Sequence, residues 1–169
     1  MSKAKLVFLG DSLTMRHNWT NFKAANMGID GDTTAGILSR MHQASSADTI
    51  VLMIGVNDIL NQVKLSKIQH NYTKILNTFK KEQDIYVLSL LPVIDDKQTK
   101  KINQEIKTLN KWLQIQVTQK GFTYLNLYTQ FLDKNRLGLD KSYTNDGIHL
   151  TPKAYRVWEK SLKNGLRSN

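Results

Sequence analysis

The sequence predicts an α/β protein with a parallel sheet of about five strands and helices on both faces. Short apolar runs alternate about five times with segments whose apolar residues recur at helical spacing, which is the pattern of βα units. Several runs end abruptly in small, polar turns, as strands do when they deliver residues to the carboxyl edge of such a sheet. The 169 residues include two prolines and no linker-like or repeated segment, so we expect one domain over 1–169.

Two strands carry most of this prediction. The apolar run LVFL at 6–9 stops at a GDS turn. The run TIVLMI at 49–54 is β-branched and continuously apolar, as a strand covered on both faces should be. Because parallel strands end at the same edge of a sheet, we expect the turns that contain Ser12, Gly31 and Asn57 to lie together. Further strands are predicted at 24–27, 85–91 and 122–127.

Helices are predicted where apolar residues recur every three or four positions. The first follows a glycine-containing loop, and Asp32, Thr33 or Thr34 is in position to cap it. The last starts at Thr151 and Pro152, a capping residue followed by proline at the first helical position. The four predicted helices cover 37–41, 65–79, 102–117 and a segment from 152 onwards.

Composition narrows the possible chemistry. The chain has no cysteine, which excludes a disulfide framework, a thiolate metal site and a cysteine nucleophile. Neither GxGxxG nor GxxxxGK[ST] occurs, so the phosphate cradles of dinucleotide and P-loop sites are missing. His17, His42 and His70 lie on separate segments without the spacing of metal ligands. We therefore predict no metal and no cofactor.

The net charge raises the question of an anionic partner. Lys and Arg number 24 against 14 Asp and Glu, which gives a formal net charge of +10. Much of the positive charge falls in 64–81 and 97–120, where apolar residues have helical spacing, so these lysines indicate solvated helix faces. Without arginine clusters or interleaved aromatic residues, nucleic-acid binding is not favoured. The oligomeric state is left open.

The sequence contains no recognisable targeting or membrane-spanning segment. The apolar run near the N-terminus has about four residues, below the roughly 7–15 of a signal-peptide core. No stretch approaches the roughly 18 apolar residues that a membrane span needs. We therefore expect a soluble cytoplasmic protein.

Four turns together supply the parts of a serine hydrolase site. Ser12 would be the nucleophile, and His149 the general base that takes its proton and later returns it to the leaving group. Asp146 would hold the imidazole in the useful tautomer. Gly31 offers an unobstructed backbone N–H and Asn57 a side-chain amide to a developing oxyanion, and such a donor is worth roughly 3–4 kcal/mol in the transition state. Each residue alone also fits an ordinary turn or cap, so the prediction depends on their occurrence together.

The same turns resemble the motif blocks of the SGNH, or GDSL, hydrolase family. The blocks stand in order across nearly the whole chain, as GDSL at 10–13, GIDGDT at 28–33, GVND at 55–58 and DGIH at 146–149. The resemblance implies a flavodoxin-like three-layer α/β/α sandwich and ester hydrolysis through an acyl-serine intermediate. It assigns Ser12, Asp146 and His149 as the catalytic triad, and the N–H groups of Ser12 and Gly31 with the Asn57 side chain as the oxyanion hole. The compact chain is most similar to intracellular lysophospholipases and platelet-activating-factor acetylhydrolase-like esterases.

We therefore predict a metal- and cofactor-independent serine esterase that acts on a small-molecule carboxylic ester. Short insertions between the blocks suggest an open cleft, which favours acetyl and other short acyl groups. The alternative from another class is a non-catalytic α/β module that binds an anionic small molecule at the same edge of the sheet. The run 146–149 discriminates between the two, because a simple anion binder needs no paired aspartate and histidine.

Overall fold

A five-stranded parallel sheet forms the centre of the structure, a computed structural model that describes residues 6–167. The strands are β1 (Leu6–Gly10), β2 (Ala25–Gly28), β3 (Thr49–Met53), β4 (Asp84–Leu88) and β5 (Thr123–Leu125). They lie in the order β2-β1-β3-β4-β5, and every neighbouring pair is parallel. The predicted α/β class and its parallel sheet are confirmed.

The α-helices of the described residues are α1 (Ser12–Met15), α2 (Thr34–Arg40), α3 (Val56–Leu60), α4 (Leu65–Thr78), α5 (Lys100–Gln119) and α6 (Pro152–Arg167). The four predicted helices appear as α2, α4, α5 and α6. The apolar period does not predict α1 and α3, because helices of 4 and 5 residues are too short to show it. No helix within residues 6–167 has both the length and the apolar character required to cross a membrane.

The strand order places helices on both faces of the sheet, as predicted. The connection from β1 to β2 runs one way along the sheet, whereas those through α2, α4 and α5 run the other way. Right-handed crossovers put the two groups on opposite faces, and α4 packs between α2 and α5. On the other face, Trp158 of α6 contacts Trp19 with 5.2 Å between ring centroids, and Trp19 stacks on Phe8 of β1 at 4.2 Å.

β4 ends earlier than the sequence predicts. It stops at Leu88 rather than at residue 91, and the next residues pair with side chains of α5. Asn110 hydrogen-bonds the N–H and the carbonyl of Leu90 at 2.8 and 3.0 Å, and Asn103 does the same for Val93 at 3.0 and 2.9 Å. Two buried amides thus take the place of a neighbouring strand.

β5 is also shorter than predicted, with three residues instead of six. Beyond Leu125, the Ser89 hydroxyl accepts the N–H groups of Leu127 and Tyr128 at 3.0 and 2.9 Å. The chain therefore leaves the sheet while its backbone donors remain bonded.

The carboxyl ends of β1, β2 and β3 meet at one edge of the sheet. Gly10, the last residue of β1, stands in register with both Gly28 of β2 and Met53 of β3. A Cβ at Gly10 would lie 2.6 Å from the carbonyl oxygen of Met53, so this close approach requires glycine. The turns that follow these strands carry the predicted site residues Ser12, Gly31 and Asn57.

Candidate active site

Ser12, His149 and Asp146 form a continuous chain of hydrogen bonds at this edge of the sheet. Ser12 Oγ lies 3.1 Å from Nε2 of His149, and Nδ1 of His149 lies 2.6 Å from Oδ2 of Asp146. Ser12 is 6% exposed, whereas the side chains of His149 and Asp146 are 28% and 53% exposed. The hydroxyl is therefore nearly buried, and the other two side chains border solvent.

The loop before α6 brings Asp146 and His149 together. Oδ1 of Asp146 accepts the backbone N–H groups of Ile148 and His149 at 2.9 and 2.7 Å, which forms a tight Asx-type turn. Gly147 between them has a φ of +91°, a left-handed conformation that favours glycine. A Cβ there would also lie 2.7 Å from Cγ2 of Ile94. Backbone and packing both require the glycine that lets the carboxylate reach the imidazole.

Asp146 sets the position of the proton on the imidazole. Partial burial alone would raise the pKa of its carboxyl, but hydrogen bonds from the His149 ring and from two backbone N–H groups hold that pKa well below its usual range. An ionised carboxylate can only accept hydrogen bonds, so Nδ1 of His149 carries the proton between them. Nε2 is left with a lone pair toward the Ser12 hydroxyl, which is the state that a general base requires.

Gly31 lies on the loop after β2 and Asn57 in the first turn of α3, at the same edge of the sheet as Ser12. Gly31 is exposed, has a φ of +72°, and has no other atoms within 4 Å of where a Cβ would stand. Nδ2 of Asn57 donates to the backbone oxygen of Asp32 at 2.9 Å, and a primary amide has a second N–H for another acceptor. Ser12 is the first residue of α1, where backbone N–H groups have no partner inside the helix. The structure thus brings all five predicted site residues to one edge of the sheet.

Asp11 is a buried carboxyl next to Ser12 that caps α1. It accepts the Leu13 N–H at 3.0 Å and is 1% exposed. Burial raises the pKa of Asp11 to about 7, against the hydrogen bond from Leu13 and with a further contribution from the charges of Asp32 and Asp58. Ionisation of this group near neutral pH therefore destabilises the fold.

Replacing Asp11 by asparagine should remove part of the pH dependence of stability. The pKa of the folded state lies above the ordinary value of 3.8, so the stabilising contribution is full below about pH 4 and is lost as the pH rises through about 7. Between about pH 4.5 and pH 8, we expect the wild-type free energy of unfolding to fall by about 2–4 kcal/mol relative to Asp11→Asn. Urea denaturation measures this difference, and asparagine keeps an oxygen for the Leu13 N–H. Parallel pH profiles for the two proteins would contradict the prediction.

A buried ion pair between Asp32 and Arg40, which the sequence pattern does not predict, lies next to the site. Asp32 does not cap α2, because that role belongs to Thr33, whose hydroxyl accepts the Gly36 N–H at 3.2 Å. Asp32 instead pairs with Arg40, and each of the two side chains is 9% exposed. In the sequence, Arg40 is only the polar end of a short helical pattern, so no local signal indicates that it is buried.

Asp58 follows Asn57 and joins α3 to α2. Its carboxylate accepts the N–H and the hydroxyl of Thr34 at 2.9 and 2.6 Å. The Thr34 hydroxyl in turn accepts from Nδ2 of Asn71 in α4 at 2.9 Å. Burial raises the pKa of Asp58, and the two hydrogen bonds from Thr34 oppose that change. The turn after β3 is thereby attached to two helices.

The remaining histidines lie apart from this site. Nε2 of His17 is 2.8 Å from Oε1 of Glu159 in α6, and His42 and His70 are exposed on separate elements. In the part of the chain that the structure describes, no three histidine, aspartate or glutamate side chains come together as a metal-binding group.

A protein-family model matches most of the chain. It is the model of the GDSL-like lipase/acylhydrolase family, and it aligns with residues 8–157, a range that contains all five candidate residues. No curated protein sequence matches the chain significantly.

Several solved structures share the fold over nearly the whole chain. A structure from Streptococcus pneumonia, provisionally described as a platelet activating factor, has 25% sequence identity and a TM-score of 0.87, with 97% of this chain and 84% of that chain covered. A GDSL-like lipase from Bacteroides thetaiotaomicron VPI-5482 has 23% identity and a TM-score of 0.86, with 99% and 90% covered. A catalytic mutant of an acetylxylan esterase from Geobacillus stearothermophilus has 14% identity and a TM-score of 0.80, with 97% and 94% covered. The last two likenesses show the fold alone.

Proposed function

The chain belongs to the GDSL-like lipase/acylhydrolase family, and from this premise we propose that it hydrolyses short-chain carboxylic esters through an acyl-serine intermediate on Ser12. The observation that carries the proposal is the continuous contact from Ser12 Oγ to His149 and from His149 to Asp146. Nucleophile, base and orienting carboxylate are the three parts that serine acyl transfer needs.

In the first half-reaction, Ser12 Oγ attacks the carbonyl carbon of the ester. The hydroxyl proton moves to Nε2 of His149, 3.1 Å away, as the new C–O bond forms. Asp146 stabilises the resulting imidazolium, because its lowered pKa keeps it ionised. The tetrahedral intermediate then breaks its bond to the alcohol oxygen, which takes the proton from Nε2. The products of this step are the free alcohol and the acyl-enzyme.

The carbonyl oxygen becomes an oxyanion during this attack and needs hydrogen-bond donors. We assign the backbone N–H groups of Ser12 and Gly31 and Nδ2 of Asn57 to that role. The bond from Asn57 to the backbone oxygen of Asp32 uses one amide hydrogen and orients the other. Donors oriented before the reaction stabilise the transition state by roughly 3–4 kcal/mol each.

In the second half-reaction, water replaces the alcohol. His149 removes a proton from the water molecule as it attacks the acyl carbon, and it returns this proton to Oγ when the bond to Ser12 breaks. The carboxylic acid leaves and the hydroxyl is restored. Both halves begin with the neutral imidazole, whose Nε2 lone pair takes the proton.

The exposure of the site supports short acyl groups. The side chains of His149 and Asp146 are 28% and 53% exposed, so one side of the nearly buried Ser12 hydroxyl is bordered by a surface open to solvent. An open surface buries little of a long acyl chain and gains little free energy from it. Acetyl and other short acyl esters are therefore the proposed substrates, and the longer chains of lysophospholipids are the competing class.

A fluorophosphonate probe tests the serine mechanism without knowledge of the substrate. We expect the wild-type protein to be labelled once per chain, at Ser12 by peptide mass spectrometry, and Ser12→Ala to remain unlabelled. Ser45→Ala is the matched control, because Ser45 is exposed and lies in the segment between α2 and β3. This variant should be labelled like the wild type. A wild-type protein that resists labelling but binds anionic small molecules would support the non-catalytic module instead.

A series of p-nitrophenyl esters tests the proposed acyl group. A kcat/KM that increases from p-nitrophenyl acetate to the decanoate would contradict the short-acyl assignment.

A further inference from the structure

A buried arginine at the end of α2 holds the ends of two strands and one loop of the candidate site. Arg40 is 7% exposed. Its Nη1 donates to the carbonyl of Met27 at 2.9 Å, and its Nη2 donates to the carbonyl of Gly10 at 3.1 Å. Nε and Nη2 also donate to Oδ2 of Asp32 at 2.8 and 2.5 Å. One guanidinium thus joins the end of β1, the end of β2 and the loop that carries Gly31.

Asp32 connects Arg40 to Asn57 through hydrogen bonds. Its carboxylate is held by Arg40, and its own backbone oxygen accepts Nδ2 of Asn57 at 2.9 Å. The helix that carries Asn57 is attached separately, through the bonds between Asp58 and Thr34. The link through Asp32 therefore governs the orientation of the Asn57 amide rather than the position of α3.

The packing around the Asp32 carboxylate leaves no spare room. A Cβ at Gly36 would overlap Oδ1 of Asp32. Gly36 lies inside α2 with an ordinary helical backbone, where alanine is otherwise the better helix former. Glycine at this position thus weakens the helix and lets the carboxylate stand where it meets Arg40.

The chemistry of arginine suits a positional role better than a stabilising one. A buried ion pair contributes little net stability, because the loss of hydration of both charges offsets their attraction. The planar fork of a guanidinium can bond several acceptors at fixed angles, whereas an ammonium is a point donor. At Arg40, that fork serves two strand-end carbonyls and one carboxylate at the same time.

We propose that Arg40, acting through Asp32, positions the Asn57 amide for the oxyanion of the transition state. Arg40 is a positioning residue, since its bonds go to Gly10, Met27 and Asp32 and it acts on the reaction through Asn57. The inference rests on the proposed esterase function. A displaced oxyanion donor weakens transition-state stabilisation more than substrate binding, so kcat should fall while KM changes little.

Arg40→Lys tests the inference because it keeps the charge and removes the fork. With p-nitrophenyl acetate, we expect kcat to fall about 10–100-fold and KM to change by less than about threefold. Arg16→Lys is the matched control, since Arg16 forms an exposed ion pair at 3.3 Å with Asp30, which lies on the loop that carries Gly31. The kcat of this variant should stay within about twofold of the wild type. Gly36→Ala displaces Asp32 by another route and should reproduce the fall in kcat, which keeps the test available if Arg40→Lys does not fold.

The same substitutions in an Asn57→Ala background separate positioning from a general loss of structure. Asn57→Ala alone should lower kcat by about 10²–10³-fold. If Arg40 acts through Asn57, adding Arg40→Lys or Gly36→Ala should lower kcat by less than about threefold more. An equal fold-loss with and without Asn57 would overturn the inference and leave the proposed function intact. A wild-type kcat in Ser12→Ala would overturn the proposed function, and the inference with it.

Discussion

Replacement of Ser12 by alanine should lower kcat/KM for p-nitrophenyl acetate by about 10⁴–10⁶-fold. The substitution removes the atom that lies 3.1 Å from Nε2 of His149, so no acyl-enzyme can form. The activity that is left should come from the oxyanion donors and from general-base attack by water. Initial rates, corrected for spontaneous hydrolysis of the ester, measure the effect. Because one oxygen atom is lost from a nearly buried side chain, the variant should fold like the wild type.

Ser12 and His149 should behave as one catalytic unit. The double variant Ser12→Ala, His149→Ala is expected to be as active, within about threefold, as the less active single variant. Ser45→Ala, the control outside the site, should retain the wild-type kcat/KM. Losses that multiply in the double variant would show that the two residues do not share one proton transfer, and a wild-type rate in Ser12→Ala would exclude the serine mechanism.

Replacement of Asp146 by asparagine should lower kcat by about 10²–10⁴-fold. The asparagine oxygen can still accept the N–H groups of Ile148 and His149, as Oδ1 does now. An NH₂ group then faces Nδ1 of His149, which lies 2.6 Å from Oδ2 in the wild type. Nδ1 must accept that hydrogen bond, so the ring proton moves to Nε2 and the lone pair no longer faces Ser12. The 53% exposure of the Asp146 side chain places the expected loss in the lower part of this range, because water competes with the NH₂ group.

The pH profile of kcat is a second test of the role of Asp146. The lowered pKa of Asp146 keeps it ionised throughout the assay range, so protonation of Asp146 should not contribute to the acid limb of the profile. Asp140→Asn is the matched control, since Asp140 bonds the Ser142 N–H at 2.8 Å in the same region of the chain and should retain the wild-type kcat. A wild-type kcat in Asp146→Asn would contradict the role of Asp146.

The predicted site residues come together because each lies in or next to a short turn whose composition is visible in the local sequence. Ser12 lies two residues after the end of the apolar strand β1, and Gly147 makes a bend that brings Asp146 and His149 into contact. Parallel strand order then places the turns after β1, β2 and β3 at one edge. Local composition and one topological rule are sufficient for this part of the prediction, while the chemical roles of these residues stay predictions until the variants are measured.

Local composition is insufficient where distant side chains decide the structure. The apolar run continues past Leu88, where β4 ends, yet the backbone of Leu90 bonds the amide of Asn110 instead of a neighbouring strand. Asp32 precedes a helix like a capping residue, yet Arg40 draws its carboxylate inward. In both cases a buried polar group needs a partner, and the partner lies on another element.

By itself, the sequence determined the α/β class, the clear strands and long helices, the family, and the nucleophile, base and oxyanion candidates, because these depend on periodicity and on motifs of a few adjacent residues. Only the tertiary structure decided the short helices α1 and α3, the ends of β4 and β5, and the network from Arg40 through Asp32 to Asn57. The physical reason is that hydrogen bonds between distant buried groups leave no periodic trace in the chain. The turn at Ser12 can be predicted from the local sequence. The contacts of Arg40 with the neighbouring strand ends and with Asp32 depend on its burial in the folded chain.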